Sequence, residues 1–347
     1  MSEKRVKLGA TGDILLHSRL YNQAKTSANG FDFRKQLEAA EPLFQSSDLT
    51  VVNQESLVAG SEIGLSSFPK FNSPVEIAEL LKEYNVDLIN LANNHVLDKG
   101  EKGLNKSLEN LDKLNLPYIG AYKSAKDKNT MRIFQKNGLR ICFLSLTKRM
   151  AGMKVPPGKE YMLDYFEEND VLKPAKFLRK LKKDNVADVF IISIHFGKEY
   201  HRYPTSDQKE ISATLSDAGA DVIIGHHPHV LQPPEYITNS KGKKTFVMYS
   251  LGNFFTGQEG LYRKIGAFMN LDIVKKQEEP NVVITNPKLQ LTMVDPYDNK
   301  DYKLELLENV VTKLDNIKTP DGTFATREVY DELIKHLTSS EPDIEVR

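Results

Sequence analysis

The sequence predicts an α/β protein, and three observations carry that reading. Short apolar runs rich in β-branched residues alternate with longer stretches whose apolar residues recur at helical spacing. Helix-start chemistry falls where the pattern changes, as at Ser73-Pro74 ahead of "VEIAELLKEY". Six separate apolar runs end in small or metal-capable polar residues, at the strand ends where α/β folds gather their ligands.

Taken in order, "VKLGATGDILL" reads as a strand, residues 33–45 as a helix and "DLTVVNQE" as a second strand. A helix over 73–84 leads to the strand "VDLINLANNH", and a helix over about 103–114 leads to the short "PYIGAY". Asn137-Gly138 is a pair favoured in hairpin turns, and the strand "GLRICFLSLT" follows it. "GMKVPPGKEYMLDY" reads as a loop. Helices over about 171–183 and 206–218 lead into "ADVFIISIH" and "ADVIIGHHPH". After "TFVMYSLGNFF" the pattern changes to antiparallel strands, "GAFMNLDIVKK" and "NVVITNPKLQLTMVDPY", with helices expected over 302–314 and 326–337. No tandem repeat or clear linker divides the chain. The expected organisation is one large domain over 1–290 and an extension over 291–347 whose helices pack on it.

The 347 residues are enough for a large core, and 27% charged with 40% hydrophobic residues is the balance of a soluble globular protein. Forty-seven basic residues match forty-seven acidic ones, which gives no electrostatic case for nucleic acid as a partner. Cys142, the sole cysteine, has no partner for an intramolecular disulfide and reads as a small buried hydrophobe. No apolar run approaches the roughly 18 residues of a membrane span, and the N-terminus lacks a signal-peptide pattern. The expectation is a cytoplasmic protein, or a membrane-associated cell-surface one whose N-terminal leader or anchor has been removed. There is no phosphate-binding G-x-x-x-x-G-K-[ST] loop, so P-loop nucleotide hydrolysis is excluded.

The strand ends supply Asp13; Asn53 and Glu55; Asn93, Asn94 and His95; His195; His226, His227 and His229; and Ser250 with Asn253. Imidazoles and carboxylates together suit zinc, iron or manganese, and a carboxamide oxygen can complete the shell. Two such ions could share one carboxylate. On an extended segment an H-x-H pair puts both rings on one face, so His227 and His229 form the expected pair and His226 points away. A hydrogen-bonded turn around Pro228 is the competing explanation. Asn94 and His95 could cap the following helix, but Asp98 stands three residues on, well placed to bond an imidazole nitrogen and fix its tautomer. Glu199 and Tyr200 either bind substrate or line a loop, while His201 and His336 are expected to face solvent.

"GDILLH", "NQES", "LANNHVLDKG", "IHFGKEY", "GADVIIGHHPHVLQ" and "YSLGNFF" occur in the order found in the capsule-synthesis CapA family, which the chain resembles from about residue 6 to 256. Relatives in that family include the PgsA proteins of poly-γ-glutamate production. The resemblance implies a four-layer α/β/β/α sandwich of the calcineurin-like metallophosphoesterase type. It implies one or two divalent metal ions held by Asp13, Glu55, Asn94, His195, His227 and His229, with Glu55 bridging. Catalysis would fall to His95, Asp98 and Glu55, and substrate binding to Asn53, His226, Glu199, Tyr200 and Asn253. The implied function is a metal-dependent hydrolase or transferase on a polyanionic or peptide-like polymer, with membrane subunits of a synthase as possible partners. The alternatives are a non-catalytic accessory subunit and a metal-independent acid–base enzyme.

The chain departs from the phosphoesterase pattern in two places. That pattern has a histidine two residues after its first aspartate; here His17 comes four after Asp13. Along a strand this is about 13 Å, so His17 reaches the site only if the chain turns after Ile14. The second carboxylate is a glutamate, in "NQE".

Overall fold

The strand Glu3–Leu15 organises the first of two large sheets. The computed structural model describes residues 3–148, 152–167, 170–279, 281–298, 300–341 and 343–347. Most of Glu3–Leu15 pairs antiparallel with Ile265–Lys276, and its other edge pairs parallel with Leu49–Gln54. Leu88–Asn90 and Tyr118–Ile119 extend the parallel side; Val283–Val294 and Leu304–Leu306 extend the antiparallel side. Asn253–Thr256 runs parallel to the end of Glu3–Leu15, starting at Asp13. In the second sheet, Lys244–Met248, Val222–His226, Val189–His195 and Leu139–Thr147 are parallel, with antiparallel strands Glu235–Thr238 and Ile133–Lys136 at its edges. The molecule is a mixed α/β fold.

Apolar side chains explain how the sheets sit. Val6, Leu8, Val51 and Leu88 of the first sheet share one buried cluster with Ile141, Val189, Val222 and Phe246 of the second. Ile14, Val52 and Ile89 instead join Phe44, Ile77, Leu81, Leu104 and Leu108, which come from helices. Phe190, Ile192 and Ile223 join Leu178, Leu181, Ile211 and Leu215, also from helices. Strand alternation thus gives each sheet two buried faces, one toward the other sheet and one toward helices.

Local chemistry sets the element boundaries. Asn137 and Gly138 both have positive φ, 47° and 78°, as the hairpin turn between Ile133–Lys136 and Leu139–Thr147 requires. Thr205 and Gln208 form a capping box at the start of Ser206–Ala218, and Gly219, at φ 115°, ends that helix. The single helix expected over 33–45 is two, Arg34–Leu37 and Ala40–Gln45. Pro42 accounts for the break, since it lacks an N–H and its ring would strike the carbonyl four residues back. The strand expected over "VDLINLANNH" is confined to Leu88–Asn90, and the asparagines that follow form a turn.

The expected helix over 302–314 opens as the strand Leu304–Leu306 and becomes helical only over Leu307–Lys313. The expected boundary at residue 290 falls inside the strand Val283–Val294. Leu304–Leu306 and Glu345–Val346 both pair with that strand, so the C-terminal segment completes the first sheet. Thr326–Leu337 is helical as expected, yet His336 is buried rather than solvent-facing, with its ring edge-on to Tyr203. Val329, Leu333 and His336 follow the i, i+4, i+7 spacing of one helix face, and that face is the packed one. Among the described residues, no helix is long and apolar enough to cross a membrane.

Candidate metal centre

Strand register lines up the polar residues. Across the first sheet Asp13 stands beside Asn53 on one edge and Asn253 on the other, and Asn53 stands beside Asn90. Across the second sheet Thr147, His195 and His226 share one row. These strands run parallel, so their carboxyl ends meet at one rim, the place where α/β sheets hold ligands. Glu55 follows Leu49–Gln54, and its N–H donates to the Ile14 carbonyl at 2.9 Å. Asp13, Glu55, His195, His226, His227 and His229 are all buried.

The strand carrying the histidine triplet ends at His226, and His227 and His229 adopt φ values of 98° and 56°. Alternation therefore does not govern them, and the expectation that His226 points away is overturned. His226 Nδ1–H donates to Asp13 Oδ1 at 3.1 Å. The turn still delivers His227 and His229 to the centre. Their ring centroids are 6.0 Å apart, and that of His227 is 4.7 Å from that of His195.

Two groups of donors share Glu55. Glu55, His195 and His227 each offer an atom within 4.8 Å of the others, and so do Asp13, Glu55 and His229. Nε2 of His195 and Nε2 of His229 both lie 3.7 Å from Glu55 Oε1. Ligands about 2 Å from a common ion stand roughly 3–4 Å apart, so this spacing fits a divalent cation. Satisfaction of the polar atoms points the same way. Both oxygens of Glu55, both ring nitrogens of His195 and Oδ1 of Asn94 are buried without a hydrogen-bond partner among the described residues. Leaving such groups uncompensated is costly, and a bound cation would compensate several at once. Asn94 sits on the turn that Asn93 ties to the Gln54 carbonyl at 3.1 Å.

Asp13 is occupied differently from a free ligand. Its Oδ1 accepts from Asn53 at 2.7 Å as well as from His226, and its Oδ2 accepts from His229 Nδ1 at 3.1 Å and the His227 N–H at 3.4 Å. It would join an ion only by giving up one of these bonds. Asn53 and Asn253, expected to touch substrate, are buried supports instead. The Asn53 oxygen accepts from Asn90 at 2.7 Å, and Asn90 in turn accepts from Ser145. Asn253 accepts from His229 Nδ1 at 2.9 Å and donates to the Arg263 carbonyl at 2.8 Å. Sequence reasoning missed Asn90 and Ser145; Asn90 ends the run "VDLIN", and that strand-end position was the available signal.

Electrostatics separates the carboxylates. Burial raises the Glu55 carboxyl well above its usual range, with His229 opposing this. Burial also works against ionised Asp13, but hydrogen bonds from His226 and His229 prevail and hold it well below its usual range. Burial, reinforced by His227, keeps His195 neutral, well below the ordinary imidazole value. His229 is pushed up to about 10, because Glu55 and Asp13 together outweigh its burial.

Beside the centre, His95 Nδ1–H donates to Asp98 Oδ2 at 2.7 Å, and the same oxygen accepts from the Phe71 N–H at 2.6 Å. The helix that follows starts at Gly100 with no side-chain cap, so Asn94 and His95 do not cap it. His17 does come near. The strand stops at Leu15, and the His17 ring packs edge-on to Phe71 at 5.0 Å, with Phe71 against His95 at 4.8 Å. His17 Nδ1 accepts from the Gly257 N–H at 3.2 Å, and burial lowers its pKa to about 4. Glu199, Tyr200 and His201 are exposed at the rim. Glu199 is close enough to share an ion with His227 and His229, and the Tyr200 ring lies 6.3 Å from His229.

Fold and site thus define an α/β protein with a buried carboxylate–histidine centre able to hold a metal ion. The family model for "bacterial capsule synthesis protein PGA_cap" matches residues 7–258, and the chain belongs to that family. It is 30% identical over 326 residues to the PGA biosynthesis protein CapA of Bacillus subtilis (strain 168), covering 90% of this chain and 79% of that protein. It is 35% identical over 187 residues to the capsule biosynthesis protein CapA of Bacillus anthracis, covering 53% and 43%. Among solved structures, TT1561 of Thermus thermophilus overlaps 81% of this chain and 98% of its own at 9% identity, with a TM-score of 0.40.

Proposed function

We propose that this chain is a metal-dependent hydrolase or transferase acting on a polyanionic or peptide-like polymer in capsule or poly-γ-glutamate synthesis. The observation that carries the chemistry is the set of buried donors on Glu55, His195 and Asn94 that make no hydrogen bond among the described residues, near the rim where two sheets present their strand ends. Family membership supports the setting. Two sheets sharing one apolar cluster, each with helices on its far face, support a four-layer α/β/β/α sandwich of the calcineurin-like metallophosphoesterase type.

In this reading Glu55, His195 and His227 hold a first divalent ion, with the buried Oδ1 of Asn94 as a further donor, and Glu55 with His229 and Asp13 offers a second position. Manganese, zinc and iron all suit such donors. A cation there would supply Lewis acidity toward a substrate oxygen. His95, its Nδ1 proton fixed on Asp98, presents Nε2 to hold or deliver a proton to a leaving group. Glu199 and Tyr200 contact the substrate at the rim, and His226 keeps Asp13 in place. The partners are the polymer and the membrane subunits of a synthase.

Metal analysis and thermal melting test this directly. The purified protein is expected to hold at least one manganese, zinc or iron per chain after dialysis, and Glu55→Gln or His195→Ala to lose it. Absence of both stoichiometric metal and any melting shift with added manganese or zinc removes the hydrolase reading. If Glu55→Gln and His195→Ala sustain normal polymer production in cells, the chain is an accessory subunit rather than a catalyst.

A further inference from the structure

Arg263 stands at the mouth of the centre, in the short helical turn Tyr262–Lys264, just beyond the family match that ends at residue 258. Its guanidinium carbon lies 5.1 Å from the centroid of the Tyr200 ring, and that ring lies 6.3 Å from His229, tilted by 34°. Three planar groups therefore lead from the metal centre toward solvent. The backbone is arranged to hold them. Tyr200 has a φ of 64°, and its N–H donates to the Pro228 carbonyl, inside the His227–His229 turn, at 2.7 Å. One carboxamide, Asn253, bonds both the Arg263 carbonyl and His229 Nδ1.

The guanidinium crosses Gly260, where a Cβ would fall 2.4 Å from one of its terminal nitrogens. Its ion pair with Asp321 is loose, with Oδ1 at 3.7 Å, beyond hydrogen-bond length, while Oδ2 of the same carboxylate accepts from the Leu261 N–H at 2.9 Å. The Arg263 side chain is 37% exposed, so a ligand can reach it while its face is supported by an aromatic ring. A guanidinium backed by a ring and held only by a loose ion pair is a group able to recognise a carboxylate in two-point fashion.

We propose that Arg263, backed by Tyr200, is a carboxylate-binding subsite that grips one acidic unit of a polyanionic chain while a neighbouring unit reaches the metal centre. This rests on the polymer reading above. The test is calorimetric binding of γ-linked tetraglutamate, α-linked tetraglutamate and the γ-linked peptide with its carboxyls amidated, to the metal-loaded wild type, Arg263→Gln and Arg263→Lys.

Loss of a charge-assisted, two-point contact is expected to weaken γ-linked tetraglutamate by roughly 10- to 100-fold in Arg263→Gln. Arg263→Lys recovers part of that loss, and metal content and binding of the amidated peptide stay unchanged. Equal affinity of wild type and Arg263→Gln for the acidic peptides overturns the subsite, as does failure of the wild type to bind either of them. If α- and γ-linked peptides bind alike and lose affinity alike, the subsite stands as a carboxylate site and the γ-linked polymer reading falls.

Discussion

Nδ1 of His229 lies 3.1 Å from Oδ2 of Asp13 and 2.9 Å from Oδ1 of Asn253, so two acceptors fix the ring and leave Nε2 facing Glu55. Asp13 is held below its usual range, so its contribution to stability is present above the ordinary carboxyl pKa and lost as pH falls below that toward the lowered folded value. His229 is raised from 6.5 to about 10, so its contribution is present below 6.5 and lost as pH climbs toward 10. The metal-free protein should therefore weaken at both acid and alkaline extremes. Asp13→Asn should flatten both limbs and cost about 3–5 kcal/mol at neutral pH, because it strands a buried partner. Urea denaturation across pH reads this; an unchanged midpoint at pH 7 would sink the pairing.

Metal affinity should rise with pH. Burial favours the protonated form of Glu55, which contributes stability at low pH that is lost as pH rises through its elevated pKa. A cation requires the ionised form, so binding must displace that proton. Titration calorimetry between pH 5.5 and 8 in buffers of different ionisation heat should show proton release on binding, whereas Glu55→Gln should show little or no metal-binding heat in any buffer. At a hundred times the dissociation constant, metal should add about 2.7 kcal/mol of stability.

Asp98→Asn removes the acceptor shared by His95 Nδ1 and the Phe71 N–H. The imidazole should lose its single tautomer, visible in nitrogen-15 spectra, and any turnover should fall roughly 10- to 100-fold, the usual cost of losing an orienting partner. A shifted pH profile would separate this from simple destabilisation, which leaves the profile in place.

His17 gives a second acid-sensitive element. Its pKa is lowered to about 4 by burial, so stability is lost as pH falls from 6.5 toward 4, by up to about 3 kcal/mol. Replacement by glutamine should remove that limb from the melting profile above pH 4. A ring that titrates near 6.5 by proton spectroscopy would contradict the packing on Phe71.

Gly12→Ala tests the close backbone approach behind Asp13. An added Cβ would sit 2.3 Å from the Gly252 carbonyl oxygen, which accepts the Asp13 N–H at 2.8 Å. Overpacking there should cost about 1–3 kcal/mol or more and weaken metal binding together with stability. Retention of full metal affinity would show that Asp13 does not depend on this contact.

Much of the site is legible in the sequence because strand ends are marked by composition. Asp13, Glu55, His195, His227 and His229 each stand out by position after an apolar run, and the structure brings them together. Side-chain direction is harder to read. Period-two alternation misdirects His226 because it applies only inside a strand, and the strand stops at that residue. Asn53 and Asn253 resemble substrate contacts in the sequence because their depth depends on neighbours far along the chain. In the fold, one break follows from Pro42, a rule visible in the sequence, while the strand Leu304–Leu306 depends on pairing with Val283–Val294. The inward turn of His336 is readable from its helix face.

The donors are divided by origin: Asp13 and Glu55 leave one sheet, whereas His195, His227 and His229 follow strands of the other. A cation at their meeting point would act as a rivet between two plates. Chelation should then loosen the plates relative to each other before either one frays. Deuterium uptake should rise first along the rim of both sheets, while the middles of Val189–His195 and Glu3–Leu15 keep their protection.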